Sequence, residues 1–269
     1  MSSFHIPTMA EMTASGQTPD VLFWVGCAGS FDDRAKRITK AIARILHASD
    51  TSFAVLGQEE SCTGDPAKRA GNEFLYQMQA AQNIATLNGY GIKRIITGCP
   101  HCFNALKNEY PGLGGAYEVL HHTQFIRELI ETGKLRMSGD APFKGRRITF
   151  HDPCYLGRSN GEYLAPREVI AKLDAELLEM RRCKQNAMCC GAGGAQMFKE
   201  AESGDREVNH ARTDQALETQ PEVIATGCPF CNTMMTDGVK NAEQESNVVV
   251  KDIAELIAEA ADLLDAPTS

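Results

Sequence analysis

No run in this 269-residue chain approaches the roughly 20 apolar residues that cross a bilayer. The start, MSSFHIPTMAEMTASGQ, lacks the apolar stretch of a secretory signal, which predicts a cytoplasmic protein. Positive charge is in deficit: 27 Lys and Arg stand against 35 Asp and Glu, for a net charge of −8. That balance argues against nucleic acid as a partner, because such binding depends on neutralising phosphates. No GxGxxG follows a strand-like run, so a nicotinamide or flavin fingerprint is excluded. No CxxCxxCxxxCP run occurs, so a ferredoxin-type module is excluded too. Aromatics are few at 7%, but a hydrophobic fraction of 43% suffices for a core and rules out general disorder. Ten cysteines are too sparse for a disulfide scaffold, and in a reducing compartment they call for a metal, a cluster or catalysis.

The cysteines stand at 27, 62, 99, 102, 154, 183, 189, 190, 228 and 231. With Cys183 set aside they repeat. Cys27 to Cys154 and Cys62 to Cys189 are offsets of 127; Cys99 to Cys228 and Cys102 to Cys231 are offsets of 129. IITGCPHCFNAL at 95–106 echoes VIATGCPFCNTMM at 223–235, and IRELI at 126–130 echoes IAELI at 253–257. The spacing predicts two homologous halves, 20–137 and 146–264, joined by a linker SGDAPFKG at 138–145 and preceded by a connector at 1–19.

Each half alternates short apolar runs with helical patterns. The first reads as strands 21–26, 52–56, 93–97 and 116–120, with helices over 32–48, 66–88, 100–109 and about 123–132. The second repeats the order, with a long helix expected at about 203–219. This alternation predicts an α/β protein with two Rossmann-like parallel sheets. Cys27, Cys99, Cys154 and Cys228 then fall at carboxyl ends of strands, the edge where open α/β sheets bind ligands. In each GCP turn the proline opens a helix, and Cys102 and Cys231 lie in its first turn, where free N–H groups favour a thiolate.

Three chemistries fit a CxxC: a redox dithiol, half a zinc site, or two packed thiols. Packed thiols explain neither the repeat nor the strand-end placement. The first half offers four sulfurs, Cys27, Cys62, Cys99 and Cys102, enough for zinc. The second offers five, Cys154, Cys189, Cys190, Cys228 and Cys231. Five thiolates exceed one tetrahedral zinc and suit a multinuclear iron–sulfur centre.

The pattern C-x34-CCG-x36-CPxC, here Cys154, Cys189-Cys190-Gly191 and Cys228-Pro229-Phe230-Cys231, resembles the cysteine-rich CCG domain. That domain characterises heterodisulfide reductase and the iron–sulfur subunits of glycolate, glycerol-3-phosphate, lactate and electron-transfer-flavoprotein:quinone oxidoreductases. The strings VLFWVGCAGSFDDRAKR, ESCTGDPAKRAGNEFLYQMQA, HDPCYLGR and GAGGAQM are most similar to the last group, and the likeness runs over about 20–260.

The resemblance implies a noncubane [4Fe-4S] cluster held by Cys154, Cys189, Cys190, Cys228 and Cys231. It implies an oxidoreductase subunit that passes electrons between a flavoprotein or ferredoxin-like partner and a disulfide or quinone-linked acceptor. The alternative is a non-catalytic relay or docking subunit of a membrane-associated respiratory complex. In relatives a ferredoxin-like module with membrane helices often precedes the double domain. The expectation here is that these parts sit on partner chains, with this chain peripheral at the inner face of the membrane. The first half departs from the pattern: Thr63 stands where CCG has its second cysteine. Its site, Cys27, Cys62, Cys99 and Cys102, is left open between an iron–sulfur cluster, zinc and no metal.

His151 and Arg158 are candidates to tune such a cluster by hydrogen bonding or charge. A satisfied strand-end histidine and an ordinary surface arginine are the plainer readings of the two. His121 and His122 read as structural, Cys183 as a bystander, and Met188, Met197, Met234 and Met235 as packing around the cluster.

Overall fold

The computed structural model describes residues 5–200 and 203–264. Strands β1 (Val21–Trp24), β2 (Phe53–Ala54), β3 (Arg94–Thr97) and β4 (Glu118–His121) form one sheet in the order β2-β1-β3-β4. Strands β5 (Arg147–Phe150), β6 (Glu176–Leu178), β7 (Val223–Thr226) and β8 (Val249–Asp252) form a second in the equivalent order β6-β5-β7-β8. Every pairing is parallel. The doubled α/β reading holds.

The first half carries α1 (Met9–Ala14), α2 (Gly26–Phe31), α3 (Asp33–Ala48), α4 (Asp65–Arg69), α5 (Glu73–Gly89), α6 (Pro100–Asn104) and α7 (His122–Glu131). The second carries α8 (Leu164–Ala171), α9 (Val208–Leu217), α10 (Pro229–Asn241) and α11 (Ile253–Ala260). Alternation along each strand sends side chains to opposite faces. Val21 and Phe23 face one way, with Ile148 and Phe150 of the other sheet, into a single shared core. Helices α3, α7, α8 and α11 fill that core between the sheets, with α3 packed on α11 and α7 on α8. These are equivalent pairs with the halves exchanged. Leu22 and Trp24 face outward under α5 and α6, and Ile224 packs outward with Met235 and Val239 of α10.

Four expectations change in detail. The helix read over 66–88 breaks in two, because Gly71 adopts φ +86° and Asn72 caps α5 by accepting from Leu75 N at 3.1 Å. The helix read at about 203–219 starts only at Val208, and residues 201–202 lie outside the described residues. Within the segment read as a connector, Thr8 and Glu11 form a capping box on α1, whose Met9 and Met12 are buried. The IRELI and IAELI runs are not structural equivalents. His121 and Asp252 both cap the last helix of their half, and they pair with Thr97 and Thr226 respectively, an offset of 131. Ile126 is thus the fifth residue of α7, whereas Ile253 is the first of α11. The two runs look alike because both helices bury an apolar stripe, which draws similar residues at similar spacing.

Polar bonds bridge the halves. Arg34 on α3 donates to both Glu255 carboxylate oxygens on α11 at 2.7 Å, and Arg127 on α7 reaches Glu168 on α8 at 2.9 Å. His121 Nε2 bonds the Gly227 carbonyl at 3.0 Å, and His122 Nε2 lies 3.0 Å from Asp252 Oδ1. The two histidines are structural: they hold the start of one half's helix against the other half. In the segment read as a linker, Phe143 is buried in the shared core and Ser138 bonds the Ala260 carbonyl. No helix among the described residues is long and apolar enough to cross a membrane.

Candidate metal centre

Nine cysteines gather at the carboxyl edges of the two sheets, and all are free thiols. In the second half β5 ends at Phe150, and His151-Asp152-Pro153 lead from it to Cys154. Strand β7 delivers Gly227 and Cys228 to the start of α10. Cys231 lies in the first turn of α10, 3.3 Å from Cys190 Sγ. Gly191, at φ +96°, turns the chain so that its N–H donates to Cys189 Sγ at 3.3 Å.

The sulfurs form a linked set. The Cys154 and Cys190 thiols donate to Cys189 and, with the Gly191 N–H, hold it far below the usual thiol pKa despite burial. Donation to Cys189 keeps Cys154 protonated and pushes Cys190 up to about 12. Cys231 is raised by its contacts with Cys190 and Cys228, and Cys228 by burial. Five sulfurs packed this closely cannot all be anionic without a cation among them. A soft, multiply charged metal centre is the group this donor set fits.

The first half is built on the same plan. Cys27 donates to Cys62, and Gly64, at φ +84°, supplies a backbone N–H to the same sulfur, as Gly191 does to Cys189. Cys62 is thereby lowered to about 7. Cys99 is held well below the thiol range by donation from Cys102 and Cys228, and Cys102 is raised in turn. Thr63 is 2% exposed, and its Oγ1 lies 3.9 Å from Cys102 Sγ. It occupies the place of the fifth sulfur, facing Cys102 as Cys190 faces Cys231. Cys99 and Cys228 act on one another's charge across the interface, which couples the two sulfur sets.

Rings and charges frame this meeting point. His101, inside the first CxxC, stacks on Tyr155 at 4.3 Å between centroids and meets the edge of Phe230 at 5.4 Å. Asp65 Oδ2 lies 2.9 Å from His101 Nδ1; burial opposes the imidazolium, but Asp65 and Cys99 outweigh it and the pKa is raised. Arg69 bonds both Asp65 and Glu109. Glu60 accepts from Val25 N at 3.0 Å and Gly26 N at 2.6 Å at the start of α2, and burial pushes it up to about 7.

Of the tuning candidates, His151 is 1% exposed and accepts from Arg212 Nε at 3.0 Å. A ring nitrogen of His151 and the sulfurs of Cys190 and Cys231 lie within 4.8 Å of one another. Arg158 is exposed, and its guanidinium donates to the Ala187 carbonyl, two residues before Cys189. Met197 and Met234 pack on the Cys190, Cys228 and Cys231 cluster. Met235 instead packs in the core with Ile224, and Met188 Sδ accepts from Gln215 at 3.1 Å. Cys183 sits half-buried beside Glu179 and Arg167 and joins none of these sulfur contacts. Sequence reasoning missed Glu60, Asp65 and Arg212. Only the acidic EE before SCTG hinted at the first, and Arg212 is 61 positions from its histidine.

Two α/β units, each ending in a sulfur set at the sheet edge, define the class. The model of the Cysteine-rich domain, CCG, matches residues 21–107 and 148–236, and the chain belongs to that family. It is 46% identical to the EtfAB:quinone oxidoreductase of Syntrophomonas wolfei subsp. wolfei, over 91% of this chain and 35% of that protein. It is 45% identical to the probable iron-sulfur-binding oxidoreductase FadF of Bacillus subtilis, over 95% of this chain and 36% of that one. With one of the subunits of the dihydromethanophenazine:CoB--CoM heterodisulfide reductase of Methanosarcina barkeri, identity is 35% over 90% of this chain and 59% of that protein. The chain thus spans about a third of the length of the first two relatives.

Proposed function

We propose that the chain is an iron–sulfur oxidoreductase subunit, organised as units 20–137 and 146–264. Electrons pass between a flavoprotein or ferredoxin-like partner and a disulfide or quinone-linked acceptor. The observation that carries this reading is the five-sulfur set of the second half, in which Cys190 and Cys231 lie 3.3 Å apart. Cys154, Cys189, Cys190, Cys228 and Cys231 are the residues that would hold a [4Fe-4S] cluster of noncubane type. When bound, such a cluster supplies one-electron chemistry. The names of the relatives, with quinone, iron–sulfur and heterodisulfide oxidoreductases among them, support the class of reaction.

The chain's own residues prepare the site. The Gly191 N–H and the start of α10 stabilise thiolate charge, and Ala192, Met197 and Met234 keep water from the sulfurs. His101, Tyr155 and Phe230 close the seam between the two sulfur sets. Cys27, Cys62, Cys99 and Cys102 form a second site, which fits a four-sulfur metal or cluster.

The test is iron, sulfide and zinc analysis with EPR on protein purified without oxygen. About four irons or more per chain, with a sulfur-ligated signal, is the expected result; zinc alone overturns the reading. Thr63 in place of a cysteine favours a second reading, a relay or docking subunit held peripherally at a membrane by its partner. Disulfide reduction by the chain with an artificial electron donor separates the two, since a relay turns over nothing alone.

A further inference from the structure

His151 Nδ1 accepts its hydrogen bond from Arg212, and a guanidinium only donates. The proton of the neutral ring is therefore on Nε2. An Nδ1 that accepts from a guanidinium carries no proton, so the ring is neutral, and burial beside Arg212 favours that form. Arg212 is itself fully buried. Its Nη1 donates to the Arg182 carbonyl at 2.8 Å and to Gln215 Oε1 at 3.0 Å, while Nη2 has no hydrogen-bond partner among the described residues. The fork is thus fixed at two points, and its remaining direction holds the imidazole.

A ring nitrogen that carries a proton cannot bind a metal, but it can donate to sulfur. A ring nitrogen of His151 lies within 4.8 Å of the Cys190 and Cys231 sulfurs. We propose that His151 turns its N–H toward the centre those sulfurs hold, with Arg212 as the residue that positions it. The pair thereby sets the reduction potential of the centre those sulfurs hold and adds no ligand to it. This rests on the reading that the second half holds an iron–sulfur cluster. Hydrogen bonds to cluster sulfurs favour the reduced, more negative state and so raise the potential.

The first half gives independent support. Trp24 stands three residues before Cys27, as His151 stands before Cys154. It is fully buried in the same packed cluster as Cys99 and Cys102, and its Nε1–H has no partner among the described residues. Both halves therefore place a buried ring N–H at the end of the first strand. Indole nitrogen can only donate, so Trp24 requires no holder. Histidine can present either tautomer, and Arg212 is the added part that fixes one.

The test is an EPR-monitored redox titration of the full chain beside His151→Phe, Arg212→Met, Arg212→Lys and the double variant His151→Phe/Arg212→Met. The midpoint should move to more negative values in His151→Phe and Arg212→Met, with iron content unchanged. The double variant should move no further than His151→Phe, and Arg212→Lys, still a donor-only cation, should stay nearer the parent. Pulsed EPR on the unmodified chain labelled with 15N-histidine should read a weak nitrogen coupling, whatever the variants do. A coupling of ligand strength, or iron loss in His151→Phe, makes His151 a ligand and overturns the proposal. So does an unmoved midpoint, or a further shift in the double variant, which assigns the effect to the charge of Arg212 alone. A parent chain without any iron–sulfur signal overturns the functional reading itself, and this proposal with it.

Discussion

The two halves share a plan and differ in two replacements at the same places and in the charges around them. Cys190 faces Cys231, where Thr63 faces Cys102. His151 held by Arg212 stands where the first half has Trp24. Around the five sulfurs the nearby ionic groups include cations, with Arg158 bonded to the Ala187 carbonyl and Arg212 buried behind His151. Around the four sulfurs lie carboxylates: Glu60 on the start of α2, Asp65 on His101, and Glu109 with Lys68 and Arg69. A thiolate-rich centre gains from cations and N–H donors and loses from carboxylates. The second half has a buried carboxylate too, Asp152, but both its oxygens are paired with Arg167; on the proposed function this half would be the one that stabilises extra negative charge.

The largest effect is expected from Cys189→Ser. Cys189 is the sulfur that Cys154, Cys190 and the Gly191 N–H all address, so its loss removes the hub of the set. Iron content should fall by about the amount of one cluster, and the second-half EPR signal should vanish. The equivalent Cys62→Ser should leave that signal in place and lower only the metal of the first half. A second-half spectrum untouched by Cys189→Ser would refute the ligand assignment.

Thr63→Cys comes next, as a gain rather than a loss. Thr63 is buried, with its hydroxyl already directed at Cys102, so a thiol of similar volume enters without moving the backbone. Iron per chain should rise and a second EPR component should appear. An unchanged metal content would mean that the carboxylates, and not the missing sulfur, decide the state of this site.

The doubled fold and the five-sulfur set were legible because they rest on local signals. Strand and helix periods, GCP turns and the 127 and 129 offsets are all written in short windows of sequence. The pairing of α3 with α11 and α7 with α8 is not local: it follows from stacking two sheets over one shared core. For the same reason nothing in the sequence ties Arg212 to His151, 61 positions away; the fold brings them together. The IRELI echo misled because amphipathic helices converge on similar residues, whereas Gly64 and Gly191, both at positive φ, were true equivalents. The cysteine offsets were trustworthy because the paired cysteines follow equivalent strands and open equivalent helices, while a helix face tolerates a slip of one turn.

The smallest effects concern how the halves are held together. Arg34–Glu255 and Arg127–Glu168 bridge equivalent helix pairs, α3 to α11 and α7 to α8, from different positions on them. The first is bidentate, also reaches the Val250 carbonyl at 3.0 Å, and its side chains are 23% and 12% exposed. The second makes one bond to Glu168 with side chains 30% and 49% exposed, so solvent screens it. Removing Arg34 leaves Glu255 partly buried without its cation and should cost about 2 kcal/mol. Arg127→Ala should cost about 0.5 kcal/mol or less. Urea unfolding of the two variants checks the ratio, and raising salt to about 1 M should narrow the cost of Arg127→Ala further while leaving most of that of Arg34→Ala. Equal costs would mean that burial is not what separates the two bridges, and that the halves lean on each other evenly on both sides of the shared core.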